Sequence, residues 1–372
     1  MKRIYQVCTR CVMDTTDAAI SFDAAGVCDH CRTFDSQILP DWQPSDTHSA
    51  ELEASIEAIR KAGHGRDFDC IIGMSGGIDS SYLTYLAKER FGLRPLVFHV
   101  DAGWNSQIAI IDGLGLDLYT EVIDWEEMKD LQLAFFKSGV PHIDTPQDHA
   151  FFATMYRFAA RHGIKHILTG ANYSTECVRN PMEWMYYQSD SIQLRDIHRR
   201  HGTRPLRRFP VTSILWHKMW LPYVRGIKVV RPLNQIPYVQ KDAKALLIER
   251  FGWQPYPQKH FESRFTRFYE SYWLPERFGY DVRKVQYSSL ILTGQMSRDE
   301  AVERLKAPSY DKATIASEIE FVASKLGISV DELNGYMAVP KRSFRDYRSQ
   351  QHIYKLGARA MRLFGMERGG KR

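Results

Sequence analysis

Two groups of residues in this chain have the types and spacing to do chemistry. Ser75-Gly76-Gly77-Ile78-Asp79-Ser80-Ser81 follows the apolar run Cys70–Met74 and leads into Tyr82–Arg90, where Leu83, Leu86 and Ala87 recur at helical spacing. This pattern predicts a strand, a tight Gly-rich turn and a helix start. Glycines allow positive φ and close backbone approach, while hydroxyls and the unpaired amides of a helix start converge on one spot. Such a spot binds an anion, most plausibly phosphate. The second group is Cys8, Cys11, Cys28 and Cys31, two Cys-x-x-Cys pairs with sixteen residues between them. That is the spacing of a four-cysteine zinc site, and four thiolates leave no open coordination position for catalysis. The intervening Phe22–Val27 predicts a short hairpin turning near Gly26, which would bring the two pairs together. Disulfides are the alternative, but no secretory signal accompanies them, so structural Zn²⁺ is expected. His30, between two ligands, is expected to face solvent.

The elements that must position these groups follow from periodicity. Short apolar runs at Cys70–Met74, Pro95–Val100, Leu116–Val122, Lys165–Thr169 and Ile227–Val230 alternate with amphipathic segments, the pattern of an α/β fold with a parallel sheet. Helices are predicted from near Trp125, with Asp124 as cap and Glu127 three residues on, and over about 148–162. After Gly252 the pattern turns helical over 261–274, 281–293, 297–305 and 310–327, and the aromatics of that region are expected in its core. The expected organisation is a zinc module (1–35), a linker and helix (36–66), the sheet domain (67–240) and a mainly helical C-terminal domain (241–372). In open parallel sheets ligands bind beyond the carboxyl ends of strands. His99, Val100, Asp101 and Asn105 at the second strand end, and Gly170 and Asn172 at the fourth, are therefore site candidates. Arg231 is a further anion-binding candidate. Lys259, His260 and Glu262 combine opposite charges with a titratable ring and are candidates for sugar or diphosphate binding or proton transfer.

Ser75, Gly76, Gly77, Asp79 and Ser80 in this setting resemble the Ser-Gly-Gly-x-Asp-Ser signature of the PP-loop ATP pyrophosphatases. That resemblance implies a Rossmann-like sheet domain that cleaves ATP between its α and β phosphates. It implies Ser75, Gly76, Gly77 and Ser80 as the phosphate cradle, with Asp79 organising Mg²⁺ and pyrophosphate and Ser81 among the ATP-binding residues. It also implies adenine and ribose held at the second strand end, and a glycine-containing loop after the fourth strand lining the phosphate and substrate side. Beyond the loop, the chain resembles the N-acetyl sugar amidotransferases of bacterial surface-polysaccharide biosynthesis. The residues that carry this are Cys8–Asp14, Cys28–Cys31, Val100–Asn105, Thr169–Asn172, Phe251–Trp253, Lys259–Thr266 and Ser288–Gln295. The resemblance implies that ATP activates the acetamido group of a nucleotide-linked N-acetyl sugar, as in O-antigen synthesis, and that ammonia converts it to an acetamidino group. Between the second and third strands, Asn105–Asp112 leaves room for little more than two helical turns, where that family is expected to carry a longer helix.

Position 2 is Lys rather than an N-terminal nucleophile, and neither Cys70 nor Cys177 sits in a nucleophile elbow. Glutamine hydrolysis is therefore not expected of this chain, and the resemblance implies a separate glutaminase with a cyclase-like ammonia-channel subunit. The rival is a tRNA-thiolating PP-loop enzyme, with Cys177 as sulfur carrier; a zinc-containing RNA-binding protein would leave the loop unexplained. The net charge of +6 favours anionic partners. Arg195, Arg199, Arg200, Arg204, Arg207 and Arg208 concentrate charge in a polar, loop-like region, but nucleic acid does not follow from that patch alone. With no membrane-length apolar stretch and no signal core, the expected compartment is the cytoplasm.

Overall fold

The computed structural model describes residues 3–42, 50–104 and 111–363. Five strands, β1 (Cys70–Gly73), β2 (Pro95–Asp101), β3 (Leu118–Val122), β4 (His166–Leu168) and β5 (Lys228–Val230), pair in parallel in the order β3-β2-β1-β4-β5. Side-chain alternation sorts their apolar residues onto two faces. Cys70, Ile72 and Val97 pack with Leu52, Ile56 and Ile59 of α1 (Ala50–Ala62) and Leu83 of α2 (Ile78–Tyr85). Ile71, Leu96, Phe98 and Ile167 pack on the other face. They meet Met155, Tyr156 and Ala159 of α4 (Thr145–His162), which follows α3 (Trp125–Ser138). The chain leaves β1 toward β2 on one side and returns to β4 on the other. Strand order therefore reverses between β1 and β4, and their carboxyl ends open a crevice.

The loop after β4 runs into α5 (Tyr173–Glu176) and then α6 (Ser191–His201). The arginine-rich region expected as loop is thus half helical. Arg199 and Arg200 pair with Asp196 one turn back on the same helix, while Arg204 and Arg208 find acids remote in sequence, Glu126 and Asp124. Asp124 caps α3 as expected, accepting from the Glu127 amide at 3.2 Å. The Glu127 carboxylate instead accepts from the amides of Arg207, Arg208 and Phe209.

Helix α7 (Gln240–Phe251) lays Ala243 and Leu247 onto the sheet face beside α2. The remaining helices form the C-terminal region: α8 (Arg264–Phe268) with a wider-wound continuation to Phe278, α9 (Arg283–Leu292), α10 (Arg298–Lys306), α11 (Lys312–Leu326), α12 (Val330–Ala338) and α13 (Gln351–Leu363). Phe265, Phe268, Tyr269 and Trp273 are buried, with Phe136 of α3 and Val322 of α11 in the same core. Large apolar surfaces of both regions are shared, which fixes the helices against the sheet domain.

The four cysteines are fully buried beneath the N-terminal hairpin, which bridges Phe22 to Cys28 and turns through Gly26 at φ 78°. His30 is buried, contrary to the solvent-facing expectation, because its Nε2 lies 2.9 Å from an Asp17 carboxylate oxygen in the same module. The module docks on α9 and α10. Ser288 Oγ accepts from the Val12 amide at 3.2 Å, Arg298 donates to the carbonyls of Cys8 and Cys11, and Lys284 pairs with Asp14. Burial would raise the Asp14 carboxyl, but Lys284 and Thr16 outweigh it and hold it below its ordinary range. Its stabilisation is present above the unfolded carboxylate pKa and is lost as pH falls through the lower folded value. Lys284→Ala strands a buried carboxylate and is expected to cost about 3 kcal/mol in urea denaturation near neutral pH. That difference should shrink as Asp14 protonates in acid.

Candidate functional site

At the turn after β1, Gly76 has φ 92°, a left-handed conformation that suits glycine. Gly77 caps α2 at ordinary φ, and its constraint is space: a Cβ there would lie 2.7 Å from Glu262 Oε1. Gly170, at the end of β4, faces backbone, which cannot swing aside as a side chain can. Its Cβ would lie 2.8 Å from the backbone of Asp79 and Ser80. The two strand-end loops therefore touch main chain to main chain, directly below the first turn of α2.

Lys259 closes this crevice from the helical side. Its Nζ is 2.8 Å from Asp79 Oδ2, 2.5 Å from Glu176 Oε1 and 3.3 Å from Thr175 Oγ1. Burial alone would lower its pKa, but Asp79 and Glu176 outweigh that and hold the ammonium above its ordinary range. Tyr238 donates to the other Asp79 oxygen at 2.5 Å. Trp253 Nε1 donates to the Gly76 carbonyl at 3.2 Å. Glu262 is buried over Gly77, and burial raises its carboxyl although His260 opposes this. The resulting cavity, about 470 Å³, is lined by Ser75, Gly77, Asp79, Ser80, Gly170, Lys259 and Glu262 among others.

A second cavity of about 400 Å³ lies on the far side of Lys259 and His260 and is also lined by Thr175, Glu176, Arg179, Arg231 and Glu270. His260 has φ 68°, an uncommon backbone conformation for a residue with a Cβ, and places Nδ1 2.9 Å from Glu270 Oε1. Burial lowers its basicity, but Glu270 raises the pKa to about 9. Behind it lie Asp144 and Asp148, whose carboxyls burial raises, Asp148 to about 6. The site thus sets two cations, each paired with carboxylates, between two cavities, one walled by a phosphate-type turn and the other carrying Arg179 and Arg231.

The remaining sequence candidates separate. Ser81 is buried and its hydroxyl points at the Met74 sulfur, away from the cavity. Asn172 is buried, accepts from the Thr175 amide at 2.9 Å and donates to the Gly170 carbonyl, so it builds the loop. Arg231 lies in the second cavity. At the β2 end, His99 Nδ1 lies 3.2 Å from the Met74 carbonyl oxygen and Asp101 accepts from the Gly103 amide, while Val100 packs against the core. Asn105 and residues 105–110 of the short crossover lie outside the described residues; a helical turn, Ile111–Leu114, follows. Sequence reasoning missed Tyr238, Trp253, Glu176 and Glu270. Glu176 was legible as a charged residue near the β4 end, whereas the others carry no local motif.

The cysteine sulfurs all lie within 4.8 Å of one another, with separations of 3.8 Å (Cys8–Cys31), 3.6 Å (Cys11–Cys28) and 3.6 Å (Cys28–Cys31). This cluster can hold a metal ion. The other two cysteines are poor nucleophiles: Cys177 is buried with its thiol pushed up to about 12, and burial raises Cys70 as well.

Residues 262–361 match the family model described as "LPS biosynthesis protein WbpG-like, C-terminal domain". This bears out the resemblance to surface-polysaccharide biosynthesis proteins. Among curated proteins, the uncharacterised protein MJ1599 of Methanocaldococcus jannaschii is 25% identical over 167 residues, covering 44% of this chain and 58% of that protein. The chain thus spans little more than half of that relative's length. Among solved structures, the U34-tRNA thiolase NcsA of Methanococcus maripaludis with its 4Fe-4S cluster is 15% identical, covering 68% of this chain and 79% of that one, with a TM-score of 0.30. NMN synthetase of Francisella tularensis is 14% identical, covering 59% and 93%, with a TM-score of 0.28. Likenesses of that size carry no conclusion about this chain's chemistry.

The His260–Glu270 contact is directly measurable. By NMR, the His260 imidazole should titrate near pH 9, and Glu270→Gln should return it to about 6.5 or below. Because the folded value is raised, the pair stabilises the fold fully below the unfolded histidine pKa, and that contribution fades as pH rises through about 9. An unchanged midpoint in Glu270→Gln would show that the contact does not govern His260.

Proposed function

We propose that this protein is an ATP-dependent amidotransferase that converts the acetamido group of a nucleotide-linked N-acetyl sugar to an acetamidino group, for lipopolysaccharide O-antigen or a related surface glycan. The observation that carries the reading is the shared cavity. Glu262, the first residue of the WbpG-like match, lies directly over Gly77, and Lys259, three residues ahead of the match, pairs with Asp79. An ATP-activating turn and a lipopolysaccharide-biosynthesis domain therefore face one reaction space.

An amide carbonyl is a weak electrophile and oxide a poor leaving group. In the proposed reaction the carbonyl oxygen attacks the α-phosphorus of ATP and pyrophosphate departs; ammonia then adds to the activated carbon, loses a proton, and AMP leaves as the C–N bond is kept. Ser75, Gly77 and Ser80 line the phosphate side, and Lys259 brings a fixed positive charge to the place where negative charge develops. Asp79 holds Lys259 and Tyr238, yet each of its oxygens keeps a second lone pair, so it can also contribute to a Mg²⁺ that travels with ATP. When bound, Mg²⁺ neutralises charge on the departing pyrophosphate. Glu262, whose carboxyl burial makes more basic, suits proton acceptance, and Arg231 with Arg179 in the second cavity suits the sugar diphosphate. Ammonia would come from a separate glutaminase through a cyclase-like channel subunit. The buried, high-pKa state of Cys177 favours this reading over thiolation.

For the cysteine cluster we propose structural Zn²⁺. A tetrahedral zinc with sulfurs at about 2.3 Å sets them about 3.8 Å apart, close to the separations observed. A cubane would spread its thiolates over separate irons, farther apart. Cys8, Cys11, Cys28 and Cys31 would hold the ion and so fix the docked module.

The decisive assay incubates the protein with ATP, Mg²⁺, ammonium and a panel of nucleotide-linked N-acetyl sugars. Mass spectrometry should find oxygen replaced by NH, with AMP released; ADP in place of AMP would refute the mechanism. Lys259→Met and Gly170→Ala are each expected to lower turnover at least about 100-fold, with the far-UV spectrum unchanged. Elemental analysis should find about one zinc per chain, and Cys28→Ser should lose the metal and melt at lower temperature. Iron with acid-labile sulfide would overturn the zinc assignment.

A further inference from the structure

Between Asp196 and Asp242 the chain contains no Asp or Glu. Inside that stretch the helical segment Trp216–Val224 packs one apolar side inward: Leu221 is buried, and the His217 ring sits tilted against Tyr156 on α4 with centroids 4.3 Å apart. Its opposite side is apolar as well but faces water. Leu215, Met219, Trp220, Tyr223 and Val224 recur at helical spacing and are between 48% and 71% exposed. A helix apolar on both sides is ordinarily covered on both, and a contiguous exposed patch marks an interaction surface.

The surroundings of the patch say what covers it. Lys218 lies within the segment and Arg225 follows it directly, both exposed. Lys165 donates to the Arg225 carbonyl at 2.9 Å, bringing another cation to the same edge. Apolar side chains at the centre, a Trp and a Tyr with polar edges, and cations at the rim are the composition of a surface that enters the boundary of an anionic bilayer. A second copy of the chain would set like charges against each other. Nucleic acid would gain nothing from exposed Leu215, Met219 and Val224, which do not stack on bases as aromatic rings do. Among the described residues no helix is long and apolar enough to cross a membrane, so contact would be at the surface.

We propose that the face formed by Leu215, Met219, Trp220, Tyr223 and Val224, rimmed by Lys218, Arg225 and Lys165, docks the protein on an anionic phospholipid surface. This assignment is independent of the amidotransferase reading, because the face lies outside both cavities apart from its chain continuity with Arg231. The test is flotation of the full chain with phosphatidylcholine vesicles, with and without phosphatidylglycerol. The protein should float with the anionic vesicles, and high salt should weaken the association. Trp220→Ser with Tyr223→Ser, and separately Lys218→Glu with Arg225→Glu, should each lower binding at least about ten-fold. Unchanged near-UV and far-UV spectra would show that both variants fold. Equal binding to neutral vesicles, no binding to either, or binding that survives both double variants would overturn the proposal. So would capture of RNA or of an acidic protein by the same residues without vesicle binding.

Discussion

One buried cation organises the candidate site. Lys259 reaches Asp79 from the turn after β1 and Glu176 from the loop after β4, so a single ammonium joins three segments distant in sequence. Taking such a charge out of water is unfavourable unless opposite charges and hydrogen bonds replace the lost hydration. Here two carboxylates and the Thr175 hydroxyl do so. The arrangement also orients Asp79, because Tyr238 donates to its other oxygen. The crevice is thus preorganised by contacts that exist before any ligand arrives.

That cation can sit there only because the rest of the fold leaves little freedom. Reversal of strand order between β1 and β4 opens the crevice, and Gly170 lets the two loops meet without a side chain between them. The shared core of Phe136, Phe265, Phe268 and Trp273 holds the helical region against α3. Lys259, His260 and Glu262 lie just ahead of α8, and the capping of that helix by Ser263 sets the direction from which they enter. His260 bears a left-handed backbone at this junction, compensated by its ion pair with Glu270. Local strain and buried charge coincide where the two cavities meet, as expected of a surface shaped for ligands rather than for stability.

Much of this was legible in the chain. Alternating apolar runs located all five strands to within a few residues, and glycine, serine and aspartate spacing located the turn. The cysteine pairs and the Gly26 hairpin were local patterns, and they fold as local patterns do. What escaped was pairing across distance. Arg204, Arg207 and Arg208 read as part of a loose basic patch because Glu126, Glu127 and Asp124, which engage them, lie far earlier in the chain. His30 read as exposed because nothing local marks Asp17 as its partner. Asn172 and Ser81 have the right types for ligand contact, yet one builds the loop and the other lies beneath it.

The sequence by itself determined the strand-turn-helix unit, the four-thiolate cluster and the parallel-sheet class, because each rests on periodicity or on spacing within a short stretch. It also marked Lys259, His260 and Glu262 by their chemistry, without saying what they meet. Only the tertiary structure decided that Lys259 belongs to Asp79 and Glu176, that Tyr238 and Trp253 belong to the site, and that Lys259 and His260 divide two cavities. The physical reason is that a buried charge is defined by the groups that replace its water, and those groups come from wherever the folded chain returns.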